Sequence, residues 1–178
     1  MDINKILELA KEISPWVSKV RKDFHMYPEI GMEEFRTQKK ICEYLDEFGI
    51  EYKKMAKTGV VGEIKGKNTI KTVALRADMD ALPILEKNDV SYKSKNHGIM
   101  HACGHDGHIA ILLGVAKILS QRKDELDINV RFIFQPAEEN LGGAKPMIKE
   151  GVLEGVDAIF GLHVSPLIEK GKVEYKYK

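Results

Sequence analysis

The sequence predicts an α/β fold, a layered arrangement in which helices flank a mixed, partly parallel sheet. Two helical stripes of apolar residues come first, and β-rich segments then alternate with helical ones. Strands that alternate with helices are typical of parallel strands joined by crossover helices. In addition, acidic residues or a histidine follow three of the predicted strands, which is where open α/β sheets bind ligands.

Length and composition are those of an ordinary single-domain protein. The chain has 178 residues, of which 43% are hydrophobic and 31% charged, and its formal net charge is +1. These values exclude a disordered chain and a strongly basic nucleic-acid-binding surface. The sequence contains no apolar run long enough to span a bilayer, no signal-peptide pattern and no disulfide framework. We therefore expect a cytoplasmic protein without a nucleic-acid or membrane partner.

The first helix is predicted over Asn4–Phe24, where apolar residues recur at helical spacing. Ser14 and Pro15 fit an N-cap followed by a proline at the first helical position, which leaves open a division into two helices. His25 lies in the turn that follows. We expect it to be a structural hydrogen-bonding residue, with a metal ligand as the alternative.

A second amphipathic helix is predicted over Met32–Phe48, and Gly49 is its natural stop. Cys42 lies within this helix and is expected to be an unreactive thiol. Further strands are predicted over Gly59–Ile64, Thr72–Asp78, Ile128–Gln135, Asp157–His163 and, as a beginning strand, Gly171–Lys178. Further helices are predicted over Ile109–Gln121 and Gly142–Glu150. The strand over Asp157–His163 is expected to be buried.

The stretch Met100–His108 concentrates potential metal ligands, because it contains three histidines, one cysteine and one aspartate. Thiolate and imidazole suit zinc-like ions, and the intervening glycines allow the backbone to turn tightly. Asp106 is expected to be the N-cap of the helix that follows. The alternative interpretation is a polar turn that only caps a buried helix.

Several of the polar residues converge at one rim of the predicted sheet. Asp78 and Asp80 follow one strand, Glu138 and Glu139 follow another, and His163 ends a third. Carboxylates gathered without compensation repel one another, a conflict that a pair of divalent cations resolves. In such a site one of two adjacent glutamates can bind metal while the other takes a proton from water as general base.

Five ordered motifs carry a resemblance to a known family. They are His25 with Pro28-Glu29, Arg76-Ala-Asp-Met-Asp-Ala-Leu-Pro83, Met100-His-Ala-Cys-Gly-His-Asp106, Phe134-Gln-Pro-Ala-Glu-Glu139 with Gly142-Gly-Ala144, and Gly161-Leu-His163. Together they resemble the amidohydrolase branch of the M20 metallopeptidase family. The resemblance implies a zinc-peptidase-like catalytic domain and metal-dependent hydrolysis of the amide bond of N-acyl amino acids.

The resemblance also implies roles for single residues. Two divalent metal ions (zinc, manganese, cobalt or nickel) are expected to bind through Cys103, His105, Glu139 and His163. Cys103 resembles the ligand that bridges the two ions. Glu138 resembles the general base, and Asp80 resembles the aspartate that orients a ligand from behind. Asp78 stands where relatives outside this branch carry a ligand histidine, which leaves its role open.

Length is the largest departure from the family pattern. Members are typically much longer and carry a dimer-forming domain inserted into the catalytic one. The resemblance therefore implies that residues 1–178 are the N-terminal portion of the catalytic domain, with the dimerisation domain and the C-terminal catalytic segment absent. The expected partners are an N-acyl amino acid as substrate, and either a second copy of the chain (a homo-oligomer) or a complementing C-terminal half.

Two other interpretations stay open on the sequence. Cys103 could be the nucleophile of a cysteine hydrolase with a histidine base, although this leaves the paired carboxylates unexplained. The 178-residue chain could also be an inactive metal-binding fragment, or one half of a split enzyme that needs a partner chain.

Overall fold

A computed structural model describes residues 2–67, 70–140 and 142–175. Its helices and strands are, in chain order, α1 Ile3–Met26, α2 Phe35–Glu47, β1 Glu51–Met55, β2 Gly59–Ile64, β3 Thr72–Asp78, α3 His105–Ser120, β4 Asn129–Gln135, α4 Ala144–Lys149 and β5 Ala158–Gly161. A 3₁₀ turn, Lys123–Glu125, lies between α3 and β4.

A five-stranded mixed sheet forms the centre of the fold, with the strand order β1-β2-β4-β3-β5. β2 pairs antiparallel with β1 and β4, whereas β3 pairs parallel with β4 and β5. Parallel neighbours need crossover connections, and the segments containing α3 and α4 supply them. This arrangement confirms the predicted α/β fold with a partly parallel sheet.

Apolar side chains cover both faces of the sheet. On one face, a cluster that includes Phe24, Leu45 and Leu113 joins α1, α2 and α3 to the strands. In β4, Phe132 points into this cluster and Ile133 into a smaller one on the opposite face, because successive side chains of a strand alternate. The central strand is therefore buried on both sides, which holds its carboxyl end rigidly at the rim.

The first two helices differ from their predictions in detail. α1 is one continuous helix through Pro15, so the possible division into two helices is not observed. Pro15 is exposed, and water can therefore satisfy the backbone carbonyl that loses its intrahelical partner. α2 begins at Phe35, and the Glu29 carboxylate accepts hydrogen bonds from the N–H groups of Arg36 and Thr37 at 3.0 and 2.8 Å.

The sheet edges differ most from the sequence predictions. β1 was not predicted, because its sequence Glu-Tyr-Lys-Lys-Met shows no apolar alternation and four of its residues are not fully buried. β5 covers only Ala158–Gly161 and is not buried, and Phe160 is 61% exposed. The predicted burial of this strand is wrong, because it is an edge strand with no neighbour beyond it among the described residues.

The predicted strand over Gly171–Lys178 is not observed over Gly171–Tyr175, where the backbone forms no ladder. Its last residues, 176–178, lie outside the described residues.

Candidate metal centre

The three parallel strands bring their carboxyl ends to one rim. Asp78, the last residue of β3, pairs with Gln135 at the end of β4, and Arg76 pairs with Gly161 at the end of β5. The residues that follow each strand therefore lie close together in space, as the sequence predicts. His163 lies two residues beyond the end of β5, on an exposed segment.

The start of α3 delivers the remaining candidate ligands. Gly104 is the N-cap, with a φ of 88°, a left-handed conformation that glycine adopts without strain. A Cβ at this position would also lie 2.4 Å from Val164 Cγ2. Cys103 and His105 flank this glycine and turn toward the rim. The prediction of Asp106 as N-cap is wrong, because the helix begins one residue before it.

Asp106 instead belongs to a buried polar network behind the site. Its Oδ2 accepts hydrogen bonds from Arg21 Nε at 3.0 Å and pairs with His25 Nδ1 at 2.8 Å. The other ring nitrogen of His25 lies 3.1 Å from Glu86 Oε1. His25 is thus a structural residue that joins α1, α3 and the loop after β3, which confirms that interpretation.

His105 is the centre of the candidate site. Its Nδ1 donates to Asp80, at 2.9 Å from the backbone oxygen and 3.2 Å from Oδ1. Its Nε2 then carries a lone pair and faces Asp78 Oδ1 at 3.5 Å and Glu139 Oε1 at 3.6 Å. Burial lowers the pKa of His105, but the hydrogen bond to Asp80 and the charge of Asp78 raise it by more, so the net shift of the pKa is upward.

Asp80 accepts hydrogen bonds from two of the candidate ligands, His105 and Glu139. Besides holding His105, it accepts a hydrogen bond at Oδ2 from the N–H of Glu139 at 3.0 Å. Burial raises the pKa of Asp80, whereas the hydrogen bonds from His105 and from the N–H groups of Glu139 and Glu138 lower it more. The carboxylate is thereby kept ionised. Glu138 itself is exposed on the same turn.

Cys103 lies at the exposed side of the group. Its Sγ is 3.4 Å from His163 Nε2, and it forms a potential ligand set with His105 and Glu139, whose atoms lie within 4.8 Å of one another. Burial and the hydrogen bond to Glu139 raise the pKa of the Cys103 thiol to about 12. Without a cation this thiol is neutral at physiological pH.

His108 is among the histidines of the Met100–His108 stretch, but the sequence alone assigns it no role. It follows His105 by one helical turn, and its Nδ1 lies 2.5 Å from Asp78 Oδ1. Asp78, His105, His108 and His163 form a second group of ligand atoms within 4.8 Å. The three-residue spacing of His105 and His108 is the signal that could have identified it, because such residues share one face of a helix.

These residues fit a divalent metal ion. Among the described residues, His105 Nε2 and Glu139 Oε1 are buried without a hydrogen-bond partner. Buried polar atoms are normally paired, so both atoms are available to coordinate. The donors are sulfur, imidazole nitrogen and carboxylate oxygen, the set that zinc and its neighbours in the first transition row accept.

Comparison with known proteins identifies the family. The sequence profile of Peptidase family M20/M25/M40 matches residues 74–178, more than half of the chain. The chain belongs to this family. The structure agrees, because a dinuclear metal-binding peptidase of the M20 family from Bacillus subtilis superposes on this M20-family chain with a TM-score of 0.84 at 47% identity. That superposition covers 88% of this chain and 44% of the Bacillus chain.

The relatives of this chain include a carboxypeptidase and an amidohydrolase. The chain is 48% identical over 173 residues to thermostable carboxypeptidase 1 of Saccharolobus solfataricus, covering 95% of this chain and 44% of the relative. It is 44% identical over 179 residues to the N-acyl-L-amino acid amidohydrolase of Geobacillus stearothermophilus, covering 99% of this chain and 48% of the relative. This M20-family chain therefore spans about half the length of the relatives it matches.

No helix among the described residues of this M20-family chain is long and apolar enough to cross a membrane.

Proposed function

We propose that this M20-family chain carries the metal-binding and acid–base residues of an enzyme that hydrolyses the amide bond of N-acyl amino acids. The observation that carries the proposal is the buried Nε2 of His105, which faces the carboxylates of Asp78 and Glu139. A lone pair directed at two carboxylate oxygens is stable only when a proton or a cation lies between them.

The proposed ligands are Cys103, His105, Glu139 and His163. Two divalent ions of zinc, manganese, cobalt or nickel bound there would supply Lewis-acid polarisation of the amide carbonyl and a lowered pKa for an attacking water. A nearby cation would also reverse the upward pKa shift of the Cys103 thiol and favour its thiolate. Cys103, between His163 and Glu139, is the proposed bridge.

Glu138 is the proposed general base. It is exposed at the rim, next to the half-buried proposed ligand Glu139 on the same turn, so its carboxylate is free to accept a proton from water. That proton then passes to the leaving amine nitrogen as the carbon–nitrogen bond breaks. Asp80 has the separate role of holding His105 and the Glu139 backbone in position.

The substrate class is supported by the names of the relatives. A carboxypeptidase and an N-acyl-L-amino acid amidohydrolase both act on an amide whose nitrogen belongs to an amino acid. We therefore propose a small N-acyl amino acid as the substrate. Both cysteines are free thiols, which supports a reducing compartment such as the cytoplasm.

We further propose that these residues are the first part of the catalytic domain and need a second chain segment for turnover. The described residues offer four proposed ligands for two ions, whereas each zinc ion usually takes about four ligands of its own. An inactive metal-binding half that requires a partner chain is the corresponding alternative for the isolated molecule.

Metal content and hydrolysis together test the proposal. The purified chain is expected to bind Co²⁺ with an absorption band from thiolate ligation, and Cys103→Ala is expected to abolish this band. Cys42→Ala is the matched control, because Cys42 is buried in α2 away from the rim. A chimera that continues this chain with the C-terminal half of the Geobacillus relative is expected to hydrolyse N-acetyl amino acids. An unchanged cobalt spectrum in Cys103→Ala contradicts the ligand assignment.

A cysteine hydrolase is the second candidate, because Cys103 Sγ lies 3.4 Å from His163 Nε2. The raised pKa of the thiol opposes it. Iodoacetamide distinguishes the two functions. A metal ligand is expected to be alkylated slowly in the metal-loaded chain, whereas a nucleophile activated by histidine reacts rapidly with or without metal.

A further inference from the structure

The turn that follows β4 has a strained backbone conformation, which must be stabilised by contacts with other parts of the chain. Ala137 has a φ of 47°, in the left-handed region, where a residue with a Cβ is strained by about 1 kcal/mol or more. Ala137 is fully buried. The next two residues, Glu138 and Glu139, are the proposed base and ligand, so the conformation of Ala137 sets the direction in which both leave the strand.

The carboxyl group of Glu34 holds this residue. Glu34 is fully buried, and its Oε1 accepts a hydrogen bond from the N–H of Ala137 at 2.8 Å. Its Oε2 accepts another from Thr58 Oγ1 at 2.5 Å. Burial raises the pKa of Glu34, which these two hydrogen bonds partly offset. Burying a carboxyl group this deeply costs folding free energy unless its oxygens are hydrogen-bonded.

Glu34 and Asp80 hold the turn from two sides. Glu34 binds the N–H of Ala137, and Asp80 Oδ2 binds the N–H of Glu139 two residues later. The turn is also closely packed, because a Cβ built on Gly31 would lie 2.9 Å from Ala137 Cβ. Two carboxylates from different parts of the chain therefore fix the backbone between the strand and the candidate ligands.

We propose that Glu34 is a positioning residue of the metal centre, which acts on Glu138 and Glu139 through the N–H of Ala137 and touches neither metal nor substrate. This inference rests on the proposed function, since Glu139 must bind metal for its position to matter. Removing the anchor lets the Ala137 backbone relax toward an ordinary conformation, which turns the Glu139 carboxylate away from His105.

Two readouts on the full chain test the proposal. In the metal-free chain, Glu34→Ala is expected to accelerate hydrogen exchange of the amides 137–139 by about tenfold or more. Without the Glu34 carboxyl group, local opening of the turn no longer has to break the hydrogen bond to the N–H of Ala137. With Co²⁺ alone as the probe, the same variant is expected to bind about 10- to 100-fold more weakly. Glu34→Gln keeps a carbonyl oxygen for Ala137 and an amide for Thr58, so it is expected to behave like the unaltered chain in both.

Glu29→Ala is the matched control. Glu29 also accepts backbone N–H groups at the start of α2, so its loss is expected to lower the Tm while leaving both readouts at the turn unchanged. Thr58→Val, which removes one donor to Glu34, gives a smaller acceleration at the same amides and serves if Glu34→Ala does not fold.

Unchanged exchange in Glu34→Ala, or in Thr58→Val where the alanine variant does not fold, would overturn the proposal. So would a glutamine variant as impaired as the alanine variant, or equal effects of Glu29→Ala and Glu34→Ala at the turn. Absence of Co²⁺ binding by the unaltered chain would refute the proposed metal centre instead, and the exchange measurement would still decide whether Glu34 anchors the turn.

Discussion

The Nε2 atom of His108 accepts a hydrogen bond from the backbone N–H of Val164 at 3.0 Å. Its Nδ1 is bound to Asp78 Oδ1, which fixes the ring between the end of β3 and the segment that carries His163. The described part of this segment is mostly exposed and belongs to no helix or strand. His108 therefore orients His163, a proposed ligand that lies beyond the hydrogen-bonded part of β5.

We predict that His108→Ala weakens Co²⁺ binding by about 10- to 100-fold, the usual cost of losing a residue that orients a metal ligand. The measurement is a cobalt titration followed by absorbance. His97→Ala is the control, because His97 is an exposed histidine outside both groups of ligand atoms. Equal affinity in the two variants would mean that His163 is positioned without His108.

The adjacent glutamates are predicted to respond differently to substitution. In the active chimera, Glu138→Ala is expected to keep its metal and lose about 10²- to 10⁴-fold in kcat, the usual contribution of a general base. Glu139→Ala is expected to lose metal as well, because its buried Oε1 faces His105 Nε2. Elemental analysis and initial rates on the same samples separate the two effects. The reverse pattern would exchange the roles.

His25 is predicted to make stability depend on pH. The hydrogen bond to Asp106 raises the pKa of His25, against the opposing effect of burial, and Glu86 raises it further. A raised pKa means that the folded state holds the proton more tightly, so the stabilisation is complete below the ordinary value of about 6.5. It is lost as the pH rises through the raised value in the folded chain.

Asp106 and Glu86, the acidic partners of His25, set the lower pH limit of this stabilisation. Burial raises the pKa values of Asp106 and Glu86, but their hydrogen bonds and the surrounding positive charges, including Arg21 beside Asp106, lower them more. Their contribution is therefore lost as the pH falls below about 4. The network is expected to stabilise the fold most between about pH 4.5 and 6.5.

Thermal unfolding tests this pH dependence. His25→Gln is expected to lower the free energy of unfolding by about 1–3 kcal/mol at mildly acidic pH, because two buried carboxylates lose a partner. The loss should shrink as the pH is raised toward alkaline values. His97→Gln controls for the removal of an exposed histidine. A loss that stays the same at every pH would show that His25 is not protonated in the folded chain.

The β5 edge is predicted to drive self-association of the purified chain. Phe160, Leu162 and Val164 are 61%, 47% and 45% exposed, and an unpaired edge strand with apolar side chains recruits other chains. Phe160→Lys is expected to raise the monomer fraction in sedimentation velocity. Phe35→Lys is the control, because Phe35 is 54% exposed and begins α2, which packs against β1 and β2 rather than β5. A chain that remains monomeric at all concentrations would refute this prediction.

Most of the fold was predictable because its elements are locally encoded. β2 and β3 have the predicted bounds, and β4 begins one residue later than predicted, since these short segments are rich in β-branched and other apolar residues. β1 was missed because it is an edge strand whose side chains are mostly polar. At an edge, pairing comes from backbone hydrogen bonds with β2, which side-chain patterning does not report.

The sequence by itself determined which residues could form the site, because each lies in a short motif at the end of a strand or the start of α3. Only the tertiary structure decided how they are used. His108, Glu34 and the His25–Asp106 pair are far apart in sequence from the groups they hold. Their hydrogen bonds depend on burial and on the crossing of distant segments, and no local pattern of residues specifies either.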